Sequence, residues 1–399
     1  MSDNGLGGLA ALAVGVGANV QPGQILTVSA DLDNAELARE IAAQAYRRGA
    51  KFVDIEYFDP FLKRARIESA DEATLDYVPP WYGDRVHELA RLHGARVAIA
   101  APPRAEAIEG LDPARLSRDQ LPSLAEWIEV LTGNAISWTV IPGPTRGWAT
   151  RCFPELDPDD AYTRLREQIA HVCRLDEPDP AGAWQERAEA LDAAGERLTA
   201  VVLDAIHFEG PGTDLTVGLL PTSRWSGAQG TTSEGSPHLA NIPTEEVYTT
   251  PDPARTDGHV RATKPLVLGD GGMVTDLRVR FEEGRAVEID ASAGVELLRA
   301  RVARDEGGTR LGEVALVDRE SRIGRLGTLF YSTLLDENAV SHIALGAGGE
   351  ECLGEEDRPR MNRSAIHIDF MIGGADVDVT GVTADGRRIP VLRGGAWQI

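Results

Sequence analysis

The chain has 399 residues, 42% hydrophobic and 26% charged, with 63 acidic side chains against 40 basic ones and a formal net charge of −23. That length exceeds one ordinary core and predicts two or three domains of a soluble globular protein. A surface this acidic repels phosphate backbones and anionic lipid heads, which argues against nucleic acid and membranes as partners.

Cys152, Cys173 and Cys352 are odd in number and lack CxxC spacing. They suit neither a disulfide framework nor a thiolate zinc site, and they fit a reducing cytoplasm. The opening MSDNGLGGLAALAVGVGANV has no basic n-region, and its Gly/Ala-rich stretch is too short to span a bilayer. It reads as a helix followed by a turn at Gln21-Pro22-Gly23, in a cytoplasmic protein.

QILTVSA reads as a buried strand, rich in β-branched and apolar residues. Asp33 and Asn34 offer an N-cap to a helix with Leu37, Ile41, Ala42 and Ala45 on one face, ended by Gly49. KFVDIEYF follows as a second strand. The alternation continues through helix DRVHELARLHGA with its stop at Gly94, strand RVAIAA ended by Pro102-Pro103, helix SLAEWIEVLT and strand ISWTVIP. Two amphipathic helices, around DAYTRLREQIAHVCRL and AWQERAEALDAAGERLTA, flank an EPDPAG loop. This predicts an α/β N-terminal domain over 1–197 with a mostly parallel, doubly wound sheet. GVGAN at Gly15 to Asn19 lacks a third glycine and a preceding strand, so it is not read as a nucleotide site.

From residue 198 the pattern changes to short alternating strands between Gly, Asp and Pro turns. Examples are TDLTVGLL, GVTADGRRIPVL and MVTDLRVRFEEGRAVEI, the last with a hairpin turn at Glu283-Gly284. An α+β, β-rich, metal-binding domain is predicted over 198–399. Acid and imidazole groups collect there in four segments. NIPTEEVYTTPD holds Glu245 and Glu246, which on an extended chain face opposite sides, so only one of them can be a ligand. RLGEVALV holds Glu313 in an apolar run, costly to bury unless paired, protonated or metal-bound. LLDENAVSHIALG holds His342, with Asp336 and Glu337 as support for it or as a helix cap. NRSAIHIDFMIG places His367 and Asp369 at i and i+2, on one face of a strand. Together they make the N/O donor set of a two-metal hydrolase, open to zinc, cobalt, manganese or magnesium.

The strings GPGTDLTVGL, NIPTEEVYTTPD, LGEVALV, LLDENAVSHIALG and NRSAIHIDFMIG, in this order, resemble the M29 family of metallo-aminopeptidases. PGQ before the first strand and AYRRGAKFVDIEY after the first helix extend the resemblance over nearly the whole chain. It implies a two-domain enzyme, commonly a homodimer, that removes N-terminal residues from peptides with a free N-terminus, using two divalent metal ions. The family's ligands match Glu313, His342, His367 and Asp369. The fifth falls in PTEEV, where the alternation and related sequences reading GEV select Glu246. One departure concerns a tyrosine that the family carries shortly after DENAVSHIALG. Here the chain reads GAGGEECLGEEDRPRMN, and Tyr331 and Tyr248 are the candidates to replace it.

The expected chemistry is hydrolysis by a metal-activated water, with Glu313 bridging the ions and Glu245 carrying the proton to the leaving amine. Rival readings are a metal-dependent amidase on a non-peptide substrate, a catalytically impaired metal-binding homologue, and a nucleotide-binding regulator.

Overall fold

The computed structural model describes residues 4–102, 104–119, 121, 124–269 and 271–399. Residues 1–3, Pro103 of the strand-ending pair and Ser123 of the SLAEWIEVLT helix lie outside the described residues. Contacts divide the chain into two units. The first comprises Met1–Ala188, Ala228–Thr244 and Gly269–Gly271, and the second Glu189–Gly227, Glu245–Leu268 and Gly272–Ile399.

The first unit is built on four parallel strands, β1 (Ile25–Asp31), β2 (Phe52–Phe58), β3 (Ala95–Ala100) and β4 (Ser137–Pro142), in the order β2-β1-β3-β4. Leu26 and Val28 of β1 and Val97 of β3 are fully buried, as continuous apolar runs in a helix-covered parallel sheet require. Helix Ala35–Arg47 buries Leu37, Ala38, Ile41 and Ala45, so Ala38 rather than Ala42 completes its apolar stripe.

The expected cap at Asp33 and Asn34 is not the one used. A short 3-10 turn, Leu32–Asn34, precedes the helix, and Asp31 accepts from the Asp33 N–H while Asn34 makes no side-chain cap bond. The EPDPAG segment is likewise only half loop. Helix Pro180–Val201 starts within it, with Asp179 accepting from the Gly182 N–H and proline in the first position, where no N–H is needed. A short hairpin of β7 (Gln229–Thr231) and β8 (Pro237–Leu239) also belongs to this unit. Among the described residues, no helix is long and apolar enough to cross a membrane.

The second unit holds an antiparallel eight-stranded sheet. Its strands are β5 (Leu203–Gly210), β6 (Thr213–Leu219), β10 (Pro251–Arg261), β13 (Arg278–Glu282), β14 (Arg285–Asp290), β18 (Asp378–Thr383), β19 (Arg388–Arg393) and β20 (Ala396–Trp397). The hairpin expected at Glu283-Gly284 joins β13 to β14. Both turn residues have positive φ, 47° and 78°, the twist that suits a two-residue connection. A small pair, β11 (Leu266–Val267) and β12 (Met273–Val274), accompanies it. A separate antiparallel sheet, in the order β17-β16-β15-β9, comprises β9 (Glu246–Thr249), β15 (Leu311–Val317), β16 (His342–Gly346) and β17 (His367–Met371). These four strands carry Glu246, Glu313, His342, His367 and Asp369, while Glu245 precedes β9 and Asp336 and Glu337 lie on helix Thr333–Glu337.

Candidate metal centre

Residues paired across antiparallel strands project to the same face. The register pairs Glu246 with Val317, Tyr248 with Ala315, Ala315 with His342, Glu313 with Ala344, Ala344 with Asp369, and Gly346 with His367. Alternation along each strand therefore sets Glu246, Tyr248, Glu313, His342, His367 and Asp369 on one face. The opposite face is apolar, with Val247, Val314, Leu316, Ile343, Leu345 and Phe370 all fully buried. On the polar face the central strands carry Ala315, Ala344 and Gly346, which leave room above the sheet for the longer side chains around them.

Glu313 reaches that face through an irregularity. Leu311 pairs with Leu345 on the apolar side, and in a regular strand Glu313, two residues on, would share it. The register shifts between the two residues, and the extra residue, Gly312, turns Glu313 over. A Cβ at Gly312 would lie 2.1 Å from the Ala347 carbonyl oxygen, so glycine is what permits the bulge.

The two imidazoles are held alike. His342 Nδ1 lies 3.0 Å from the Glu337 carbonyl oxygen and His367 Nδ1 lies 2.9 Å from that of Ala347. Donation from both Nδ1 atoms directs both Nε2 atoms at carboxylates, the arrangement that orients histidine for a metal. His342 Nε2 is 3.0 Å from Glu246 Oε2 and 3.4 Å from Glu313 Oε1. His367 Nε2 is 3.2 Å from Asp369 Oδ1 and 3.7 Å from Glu313 Oε2. The two oxygens of Glu313 thus face different imidazoles. Three donor groups, each within 4.8 Å internally, result: Glu246, Glu313 and His342; Glu313, His367 and Asp369; and Glu337, His342 and Asp369. The cluster is open at one end, since the His342 side chain is 1% exposed and that of His367 is 35% exposed.

The electrostatics fit a cation site. Burial opposes charge on His342, but Glu246 and Glu313 outweigh it and hold the imidazole well above its usual range. Burial likewise works against His367, and Asp369 with Glu313 pushes it up to about 10. Burial and then the neighbouring carboxylates raise Glu337 well above an ordinary carboxylate, and burial raises Glu313 too, with His342 and His367 pulling the other way. The carboxylates face the two imidazoles, and Glu337 also takes a long contact from Asn338 Nδ2 at 3.5 Å. Even so, the buried Glu246 Oε2 and Asp369 Oδ1 make no well-formed hydrogen bond. Orphaned carboxylate oxygens facing imidazole nitrogens are what bound cations would satisfy.

The structure brings together all five residues expected as ligands. It also adds Glu337, which the sequence left as support or cap. Its neighbour Asp336 is the one that caps, accepting from the Phe330 and Ser332 N–H groups and pairing with Lys264 at 3.1 Å. Glu245 precedes β9, is 1% exposed, and is in none of the donor groups; its N–H donates to Asn338 Oδ1 at 2.7 Å. Of the two tyrosines, Tyr248 stands on the polar face, its hydroxyl 3.2 Å from Glu351 Oε1. Tyr331 lies in the loop before helix Thr333–Glu337, with φ 55°. A cavity of about 230 Å³ in the first unit, between β2 and helix Trp81–Arg91, contains none of these residues.

Residues 2–397 match the family model described as thermophilic metalloprotease (M29). The chain is 40% identical to aminopeptidase T of Thermus thermophilus over 98% of both sequences, and 36% identical to aminopeptidase AmpS of Bacillus subtilis over 97% of both. The solved structure of wild-type AmpT from Thermus thermophilus matches at a TM-score of 0.89 and 38% identity, covering 100% of each chain. A 2,5-dihydroxypyridine dioxygenase from Pseudomonas putida KT2440 matches at a TM-score of 0.53 with 12% identity, a likeness of fold alone. With the donor cluster on strands that the match spans, the chain belongs to the M29 family of metalloproteases.

Proposed function

We propose that the protein is a metal-dependent aminopeptidase that removes N-terminal residues from peptides, with Glu246, Glu313, Glu337, His342, His367 and Asp369 holding two divalent cations. The observation that carries this reading is Glu313, whose two carboxylate oxygens face two different imidazoles, as a bridging ligand would. When bound, such a pair of cations lowers the pKa of a water and polarises the scissile carbonyl. The curated relatives are named aminopeptidases, which selects peptides over other amides.

The chain's own residues supply orientation and proton transfer. The backbone carbonyls of Glu337 and Ala347 fix the two rings, so the donors need little reorganisation. Glu245 is the proposed proton carrier. It is tied at its N–H to Asn338, whose Nδ2 lies 3.5 Å from Glu337 Oε1, and so it sits beside the donors without being one of them. The N/O donor set accepts zinc, cobalt, manganese or magnesium, with no thiolate to favour a structural site.

Glu313→Ala, or chelation of the parent protein, should abolish hydrolysis of an aminoacyl-arylamide. The variant should also bind less metal by elemental analysis. Full turnover by the metal-free protein would refute the reading.

A further inference from the structure

The donor cluster does not use one acid that stands beside its open end. Glu351 lies in a 3-10 turn, Glu350–Cys352, four residues after Ala347, whose carbonyl oxygen holds the His367 ring. The intervening chain is pinned to Thr250, which accepts from the Gly349 N–H at 3.0 Å and donates to the Gly349 carbonyl oxygen at 2.8 Å. From the other side Tyr248, on the polar face two residues beyond Glu246, donates its hydroxyl to Glu351 Oε1 at 3.2 Å. Tyr248 is itself fixed, its backbone bonded in both directions to Ser226. Gly349 makes the placement possible, because a Cβ there would lie 2.3 Å from Glu351 Oε1.

Charge then separates Glu351 from its neighbours. Glu350 has Arg363 at 3.4 Å, whereas Glu351 has no cation within ion-pair distance among the described residues. On the two-metal reading the four carboxylates of Glu246, Glu313, Glu337 and Asp369 carry −4 and two divalent cations carry +4, so the cluster is neutral when loaded. Glu351 remains at the solvent-open side of the site with no cationic partner among the described residues, its carboxylate held by the Tyr248 hydroxyl and its own backbone N–H, while burial raises its pKa. The group that enters such a site from solvent and carries one positive charge is a peptide's N-terminal ammonium. An ammonium carries three donors and no acceptor, which matches a carboxylate with free lone pairs.

We propose that Glu351, held by Tyr248, receives the substrate's α-ammonium and so confines cleavage to the chain terminus. This rests on the metallo-aminopeptidase reading above, and the experiment keeps the two apart. Leucinol and its des-amino analogue are titrated by calorimetry into the metal-loaded parent protein and into Glu351→Gln, Glu351→Asp and Tyr248→Phe. The metal content of each protein is measured, as is the hydrolysis of a leucyl-arylamide. The parent should prefer leucinol at least tenfold. Glu351→Gln should lose that preference and raise KM at least tenfold, with kcat within about threefold and bound metal unchanged. Glu351→Asp should recover part of both effects, and Tyr248→Phe should show a smaller loss than Glu351→Gln. A preference that persists in Glu351→Gln, or that is absent from the parent, would overturn the role. Failure of the parent to hydrolyse the arylamide would instead count against the proposed function, while the calorimetry still decides the role of Glu351.

Discussion

His238 shows how the fold sets the charge of a single residue. The ring is 3% exposed, lies 6.2 Å from Trp138 between centroids, and leaves Nδ1 without a hydrogen-bond partner. Burial lowers its pKa from 6.5 to about 4, against a smaller opposing effect from the Ser236 backbone. Because the folded pKa is the lower one, the unfolded chain binds more protons between those values. Stability is therefore unaffected by this group above pH 6.5, falls as pH drops from 6.5 to about 4, and levels off below that. That lowering corresponds to at most about 3 kcal/mol. Urea unfolding of the parent and of His238→Gln, at neutral pH and near pH 4, checks this. The parent should lose more stability on acidification by up to that amount, and parallel profiles would refute it.

At the scale of the strand, the decisive feature is the bulge in β15. In Gly312→Ala the new Cβ would meet backbone rather than a mobile side chain, so the strand must shift. A loss of about 2 kcal/mol or more is expected, in the range of backbone strain and overpacking. If the strand relaxes by removing the bulge, Glu313 turns to the apolar face and the metal stoichiometry falls as well. Thermal unfolding together with metal analysis tests both, and unchanged metal content would show that the bulge does not position Glu313. The same strand marks what the sequence can reveal. Periodicity exposed the strands, and a lone acid in an apolar run singled out Glu313. Strict alternation, however, would have placed it beside Leu311, because nothing local announces a bulge except the glycine. Glu337 was obscured for a related reason. Adjacent residues on a helical turn point about 100° apart, so Asp336 and Glu337 receive different tasks that sequence alone does not distinguish. Helices Pro60–Ser69 and Arg146–Cys152 are announced in the sequence mainly by their caps at Asp59 and Thr145.

At the scale of the molecule, the ligand residues are unevenly distributed. Glu246, Glu313, Glu337, His342, His367 and Asp369 all fall within Glu245–Leu268 or Gly272–Ile399, so every proposed metal contact belongs to the second unit. A ligand that binds only the folded form stabilises it by RT ln(1 + [L]/Kd), about 4 kcal/mol at a thousandfold excess over Kd. Openings confined to one part of a chain respond only if they break the ligand's contacts. Amide hydrogen exchange with and without metal should therefore show strongly increased protection in β9, β15, β16 and β17. In β1 to β4 the amides that exchange through local opening should keep their rates. Metal that protected β1 to β4 while leaving β15 to β17 unchanged would place the site elsewhere. Equal gains in both units would mean that the exchanging state is globally unfolded, and shorter labelling at lower temperature would then be needed to isolate the local openings around Glu313.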